Sequence, residues 1–227
     1  MTLKLATSLD GRIATAAGES RWITGPAARE QVHRLRAMHQ AVMVGVETAI
    51  ADDPELTVRL PGFVGIQPTR VVLDSRQRLP LTAKLVTEAR RLETVVISAS
   101  NPNKRLTDAG VVVLRVAEDD GRPAPGAALT ALREHLSARM RARFPAIGDA
   151  GVEMNVMIEG GGQVAASFLA AGLVDRIEWF RAPIILGDEG RPGVGAFVLK
   201  ELAAAPRFRR VAVEPVGDDL WERYEKI

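Results

Sequence analysis

Residues 155–169 read NVMIEGGGQVAASFL and pass from one structural pattern to another within a few positions. The apolar run at 156–158 predicts a buried strand, and the glycines at 160–162 predict a tight turn. Apolar residues then recur at helical spacing, at Val164, Ala165, Phe168 and Leu169. A strand, a glycine turn and a helix in this order can hold a phosphate on backbone N–H groups. Neither the dinucleotide-binding GxGxxG spacing nor a P-loop is present, so a plain turn is the default interpretation.

Outward from this stretch, strands and helices alternate along most of the chain. Strands are predicted at 3–8, 41–44, 70–73, 94–98, 111–116, 155–158, 175–181, 208–215 and 220–226. Helices are predicted at 26–38, 47–51 and 127–142, and after the glycine turn. This order predicts an α/β fold with a mixed, mostly parallel sheet, helices on both faces and a C-terminal antiparallel hairpin. No linker or repeat interrupts it, so we predict one domain over residues 1–227.

Composition narrows the class of protein. The chain has 227 residues, 47% of them hydrophobic, which is enough for a full-sized core. A net charge of +2 argues against a nucleic-acid binder. The absence of cysteine excludes disulfides and thiolate metal sites, and three scattered histidines predict no metal centre. With no signal peptide and no apolar run of about 18 residues, we expect a cytoplasmic protein without membrane contact.

Polar residues that can carry chemistry form several clusters. Glu159 ends an apolar strand, where open α/β sheets bind ligands. Thr48 and Asp52 lie four residues apart on a predicted helix. The others are Ser20 with Trp22 and Arg36, Leu56 with Thr57 and Arg59, and Ser75 with Arg76. Each has a plainer interpretation as a turn, a core residue or a solvated surface.

Taken together, these clusters resemble one family over nearly the whole chain. The segments are LKLATSLDGR at 3–12, GESRWIT at 18–24, VGVETA at 44–49, ADDPELTVR at 51–59, EGGG at 159–162 and APIILG at 182–187. This ordered set resembles the reductase domain of the bifunctional riboflavin-biosynthesis deaminase/reductase. The resemblance implies a dihydrofolate-reductase-like fold. It also implies NADPH-dependent reduction of 5-amino-6-(5-phosphoribosylamino)uracil to 5-amino-6-(5-phosphoribitylamino)uracil, and a homodimer.

The resemblance assigns roles to individual positions. Cofactor contacts are implied for Ala6, Trp22, Thr48, Asp52, Ser75, Gly161, Gly162, Gln163, Val164, Ala165, Ala166 and Ser167. Substrate contacts are implied for Ser20, Arg36, Leu56, Arg59 and Glu159, with the two arginines as the phosphate clamp. Lys4 and Glu159 are the predicted catalytic residues, and a role in proton transfer is not separated from simple hydrogen bonding. Likeness to dihydrofolate reductase further predicts a cis peptide bond between Gly160 and Gly161.

The sequence departs from the family pattern in one respect, and alternatives follow from it. The zinc-dependent deaminase domain has no counterpart here, which leaves a stand-alone reductase, a fragment, or a relative with another substrate. A dihydrofolate or pterin reductase of the same fold is one alternative, although residues 26–29 hold no carboxylate to anchor a pteridine. A catalytically silent protein that only binds NADPH is another.

Overall fold

A computed structural model of the chain describes residues 1–145 and 154–227. Its strands are β1 Thr2–Thr7, β2 Arg12–Ala14, β3 Ala41–Gly45, β4 Thr69–Leu73, β5 Thr94–Ser98, β6 Val112–Arg115, β7 Glu118–Asp119, β8 Arg122–Pro123, β9 Val156–Gly160, β10 Arg176–Arg181, β11 Arg191–Pro192, β12 Phe208–Val216 and β13 Asp219–Lys226. Its helices are α1 Pro26–Ala37, α2 Val46–Asp52, α3 Lys84–Thr87, α4 Lys104–Asp108, α5 Pro125–Arg143 and α6 Gly162–Ala170, with a 3-10 turn at Leu202–Ala204.

Every strand and helix predicted from the sequence is present, with ends that differ by no more than two residues. In α1, for example, the predicted apolar positions Ala28, Val32 and Leu35 are the buried ones. The elements missed by the prediction are short: β2, β7, β8, β11, α3 and α4. Elements of two to five residues cannot display a helical or strand period, so the pattern gives no signal for them.

The chain divides into two compact units. The first comprises Met1–Leu35, Arg59–Phe63 and Met157–Ile227, and the second comprises Arg36–Val58 and Val64–Val156. The single domain expected over residues 1–227 stays a prediction.

The first unit is built on strands in the order β12-β13-β10-β1-β9. β1 runs parallel to both β9 and β10, whereas β13 runs antiparallel to β10 and β12. The last two strands form the C-terminal hairpin, and β11 pairs separately with β2. This arrangement fixes the register of β1 on both sides, which matters because β1 carries two predicted site residues.

The second unit has four parallel strands in the order β3-β4-β5-β6. All residues of β3 and β5 are buried, as is usual for parallel strands covered on both faces. The predicted fold class, a mixed and mostly parallel sheet with helices and a C-terminal antiparallel hairpin, is confirmed. Among the helices described, none has the length and apolar character needed to cross a membrane.

Candidate active site

In the first unit, the pairing of β1 with β9 brings together the two predicted catalytic residues. Thr2 aligns with Met157 and Leu3 with Ile158 in parallel register. Lys4 and Glu159 are the next residues of the two strands, one position beyond the last aligned pair. Both side chains are partly accessible. Both predicted catalytic residues therefore follow directly on the aligned part of β1 and β9, near the carboxyl end of β9.

The glycine turn follows Glu159 directly. Gly160 ends β9, Gly161 has φ +93°, and Gly162 begins α6. A residue with a side chain would be strained at 161, because φ values near +90° are open to glycine and to few other residues. No side chain among the described residues caps α6. The first N–H groups of a helix have no partner within it, which suits them to binding an anion.

At position 162, close packing against a neighbouring segment leaves no room for a side chain. A Cβ atom there would lie 2.5 Å from the carbonyl oxygen of Pro192, and the Gly195 N–H donates a 2.7 Å hydrogen bond to the Gly162 carbonyl. The segment around residues 192–195 thus packs against the turn with no room for a side chain. Close packing of backbone on backbone explains this glycine without a ligand.

The predicted cis peptide bond between Gly160 and Gly161 is wrong. In the described part of the chain the cis peptide bond is Arg21–Trp22, and Gly160–Gly161 is trans. The positive φ of Gly161 turns the chain from β9 into α6 with a trans bond.

The remaining predicted residues of the first unit lie on β1 and in the segments before α1 and after residue 58. Ala6 aligns with Phe180 of β10, whose ring stacks on Trp221 at 5.3 Å between centroids. Trp22 is 68% exposed, so the interpretation as a core residue is wrong, and the Arg29 guanidinium lies 4.5 Å from its ring centroid. Ser20 is partly accessible. Arg59 is exposed, and its N–H donates to His33 Nδ1 at 3.2 Å.

In the second unit, α2 carries Thr48 and Asp52 one turn apart, and both are partly accessible. The helix ends at Asp53, which has φ +41° and accepts a 2.9 Å hydrogen bond from the Lys84 N–H. The Asp53 side chain therefore binds the first N–H group of α3. The cofactor contact of Asp52 stays a prediction.

Arg36 and Leu56 also belong to the second unit. Arg36 Nη1 donates to the Thr57 carbonyl at 2.8 Å, so this arginine orders the segment next to Leu56. Leu56 has φ +54° and its side chain is 2% exposed. Because so little of the Leu56 side chain is accessible, it supports the segment mainly by packing.

Ser75 follows β4, and its carbonyl accepts hydrogen bonds from the hydroxyls of Ser98 at 2.9 Å and Ser100 at 3.0 Å. The neighbouring Arg76 is exposed. Ser98 ends β5, which lies beside β4 in parallel register. The predicted cofactor residue is therefore fixed by two serines that the sequence interpretation missed. Their positions at the end of an adjacent buried strand and just after it are the signal that identifies them.

Comparisons with known proteins support one family. A family model described as RibD C-terminal domain matches residues 1–221. The chain belongs to the RibD C-terminal domain family. The riboflavin biosynthesis protein RibD of Aquifex aeolicus is 37% identical over 224 residues, which are 97% of this chain and 56% of that protein. RibD of Mycobacterium tuberculosis is 34% identical over 222 residues, covering 97% of this chain and 52% of the relative. The chain spans about half the length of these curated relatives.

Comparison with solved structures supports the same family. Acinetobacter baumannii RibD matches with a TM-score of 0.78 and 33% identity, over 100% of this chain and 57% of that one. The riboflavin biosynthesis reductase Rib7 of Saccharomyces cerevisiae matches with a TM-score of 0.67 and 18% identity, over 100% of this chain and 89% of that one. The second likeness supports the fold alone.

One further charged residue of this RibD C-terminal domain lies beside the predicted catalytic pair. Glu178 on β10 aligns with Lys4 on the side away from β9, and it is 3% exposed. Its Oε2 accepts a 2.7 Å hydrogen bond from Trp221 Nε1. Burial raises the pKa of Glu178, and this outweighs the opposing effects of the Trp221 bond, Arg176 and Arg223. Glu178 was not predicted as a site residue. The signal that could have identified it is a carboxylate within a strand of otherwise partly apolar residues at 176–181.

Proposed function

We propose that the chain is an NADPH-dependent reductase that converts 5-amino-6-(5-phosphoribosylamino)uracil to 5-amino-6-(5-phosphoribitylamino)uracil. The observation that carries the proposal is the family match over residues 1–221. The adjacent Lys4 and Glu159 support it, because they provide a donor and an acceptor next to a glycine turn suited to phosphate. The first turn of α1 has no acidic residue, which does not favour a pteridine substrate.

Two features, one in each unit and taken separately, support a phosphorylated nicotinamide dinucleotide as the cofactor. The N-terminus of α6 carries no side-chain cap, and Ser75 and Arg76 stand together at the end of β4 with Arg76 exposed. Serine and arginine are good ligands for the monoester phosphate that distinguishes NADPH from NADH. When bound, NADPH supplies the hydride that reduces C1′ of the ring-opened sugar. Tighter binding of NADH than of NADPH would contradict this choice of cofactor.

The residues of the chain supply position and charge. Reduction of an open-chain sugar needs the acceptor carbon held about 3–3.5 Å from the hydride donor and a proton for the attached nitrogen or ring oxygen. We assign Glu159 to hold or move that proton and Lys4 to orient it, since both directly follow the last aligned pair of β1 and β9. Arg36 and Arg59 are proposed to bind the substrate phosphate, as the family resemblance implies.

Product identification tests the proposal. The purified chain is incubated with NADPH and the phosphoribosylamino pyrimidine, and the product is analysed by mass spectrometry. We expect a mass increase equal to one hydride and one proton, together with loss of the cyclic sugar. Recovery of unchanged pyrimidine while NADPH binds would contradict the proposal and favour a silent cofactor-binding relative.

We also propose that the protein is a cytoplasmic homodimer, a dimer being what the family resemblance implies. We propose further that residues 1–227 behave as one domain, because no linker interrupts the sequence. Light scattering coupled to size-exclusion chromatography measures the first property, and a mass near twice 24.5 kDa is expected. One cooperative unfolding transition seen by two spectroscopic probes is expected for the second.

A further inference from the structure

The chain between α2 and β4 has no helix or strand, yet it holds two predicted substrate residues, Leu56 and Arg59. Backbone N–H and C=O groups need partners, and here side chains provide them. The Thr57 carbonyl accepts from Arg36 and the Arg59 N–H donates to His33. Residues 57 and 59 are therefore each held through the backbone by a side chain from another part of the chain.

Gln67 makes the tightest of these attachments. The Val58 N–H donates to Gln67 Oε1 at 2.7 Å, and Gln67 Nε2 donates to the Val58 carbonyl at 3.1 Å. One planar amide thus satisfies both backbone groups of one residue, as a partner strand does in an antiparallel pair. Two bonds to the same residue fix its orientation as well as its position.

The orientation of Val58 determines where its neighbours lie. Val58 is 5% exposed, and it precedes the exposed Arg59 directly. On its other side, Leu56 is held at φ +54°, a value that side-chain residues rarely adopt without support from their surroundings. Release of Val58 would therefore loosen the segment between the turn at Leu56 and Arg59, with only the bonds of Arg36 to Thr57 and of Arg59 to His33 left to hold it.

We propose that Gln67 is a positioning residue of the substrate site, acting through Val58 on Leu56 and Arg59; this rests on the proposed function. Gln67 itself does not touch the reacting atoms. Its loss weakens the binding of the phosphorylated pyrimidine and leaves the chemical step and NADPH binding unchanged.

A cavity of about 350 Å³ bordered by Val58, Gln67 and Lys84 lies against the amide. Water can enter a polar space of this size, so the backbone groups of Val58 can be solvated when the amide is removed. We therefore expect variants at position 67 to fold.

The experiment compares Gln67→Met, which removes both bonds, with Gln67→Glu, which keeps an acceptor for the Val58 N–H. Gln40→Met is the matched control, because Gln40 Oε1 also accepts from a backbone N–H, that of Asn155, and neither residue is a predicted site residue. For Gln67→Met we expect KM for the pyrimidine to rise about tenfold, the scale of one to two net hydrogen bonds, with kcat and KM for NADPH within about twofold. For Gln67→Glu, KM for the pyrimidine should rise less, and for Gln40→Met it should stay unchanged.

Hydrogen–deuterium exchange provides a readout independent of activity. Peptides covering residues 56–60 should exchange faster in Gln67→Met, because the Val58 N–H loses its acceptor. An unchanged KM for the pyrimidine in an active Gln67→Met variant overturns this inference and leaves the proposed function intact. Absence of pyrimidine turnover by the unmodified chain overturns the proposed function, and this inference with it. A purely structural role would lower the melting temperature while KM stayed constant, which also overturns it.

Discussion

Lys4 and Glu159 are placed by the hydrogen-bonded register of β1 and β9, whereas residues 57–59 are placed by side chains on an irregular segment. In the first region, backbone pairing determines which side chains are neighbours. In the second, each backbone group depends on one specific amide, imidazole or guanidinium. The first region should therefore tolerate substitution of its functional side chains without loss of structure. At residues 57–59, substitution of the side chains that hold the backbone should alter function.

The largest expected effect is that of Glu159→Gln. The substitution removes the carboxylate but leaves the strand pairing, so we expect kcat/KM to fall by about a hundredfold to ten-thousandfold, the range for a lost general acid or base. The melting temperature should stay close to that of the unmodified chain. Steady-state kinetics and thermal unfolding check both expectations.

Glu225→Gln on β13 is the matched control for that change, since Glu225 pairs with Arg176 in an exposed ion pair. It should leave kcat/KM unchanged. Activity of Glu159→Gln equal to that of Glu225→Gln would remove the proton-transfer role from Glu159.

The next largest effect is on stability, from Gly162→Ala. The new methyl group would lie 2.5 Å from the Pro192 carbonyl oxygen, so backbone must move, at a cost of about 1–3 kcal/mol in the free energy of unfolding. Gly126→Ala in α5 meets nothing within 4 Å and should stabilise the protein by about 0.4–1 kcal/mol. Denaturant titration measures both, and a Gly162→Ala variant as stable as Gly126→Ala would contradict the packing account.

Sequence patterns predicted the region around Glu159 well. The apolar run before Glu159 and the glycines after it give the strand, the turn and the helix directly, and they put Glu159 at a strand end. They did not give the register between β1 and β9, because residues 4 and 159 are far apart in sequence and only the paired sheet relates them. For the same reason Glu178 was missed, since its place beside Lys4 depends on β1 pairing with β10.

The irregular segment at residues 57–59 and its supporting side chains were predicted only in part. Family motifs drew attention to Arg36, Leu56 and Arg59, but no pattern pointed to Gln67 or His33. A glutamine that bonds a backbone nine residues away leaves no period, charge run or composition change in the sequence. The cis peptide bond was placed wrongly because likeness to dihydrofolate reductase was extended to a turn that glycine completes with a positive φ.

A smaller effect, on stability, is expected from Glu178→Gln in the sheet of the first unit. The pKa of Glu178 is raised in the folded state by burial, so the folded protein holds its proton to higher pH than the unfolded chain does. Stability attributable to this group therefore falls as pH rises through the unfolded pKa toward the raised folded one.

Glutamine removes the charge and keeps an oxygen acceptor for Trp221 Nε1. We expect Glu178→Gln to melt at a higher temperature than the unmodified chain at neutral pH, with the difference shrinking in acid. Melting curves across pH measure this, and a destabilised variant at neutral pH would mean that Glu178 is ionised and paired.

The smallest effect is expected from Asp10→Asn in the turn after β1. A hydrogen bond from the Ser8 hydroxyl is the main cause that lowers the pKa of Asp10 from 3.8 to about 2, and the N–H groups of Leu186 and Gly187 add to it. The stabilising contribution is present above the unfolded pKa and is lost as pH falls toward 2. The melting temperatures of Asp10→Asn and the unmodified chain should differ at neutral pH and converge in acid. A constant difference would show that the carboxylate charge is not involved.

The proposed function is tested by the rate of NADPH oxidation by the unmodified chain, with 5-amino-6-(5-phosphoribosylamino)uracil as substrate and dihydrofolate in a parallel assay. We expect oxidation that depends on the pyrimidine and none above background with dihydrofolate. Oxidation with dihydrofolate alone would assign the chain to the pterin reductases and contradict the proposed function.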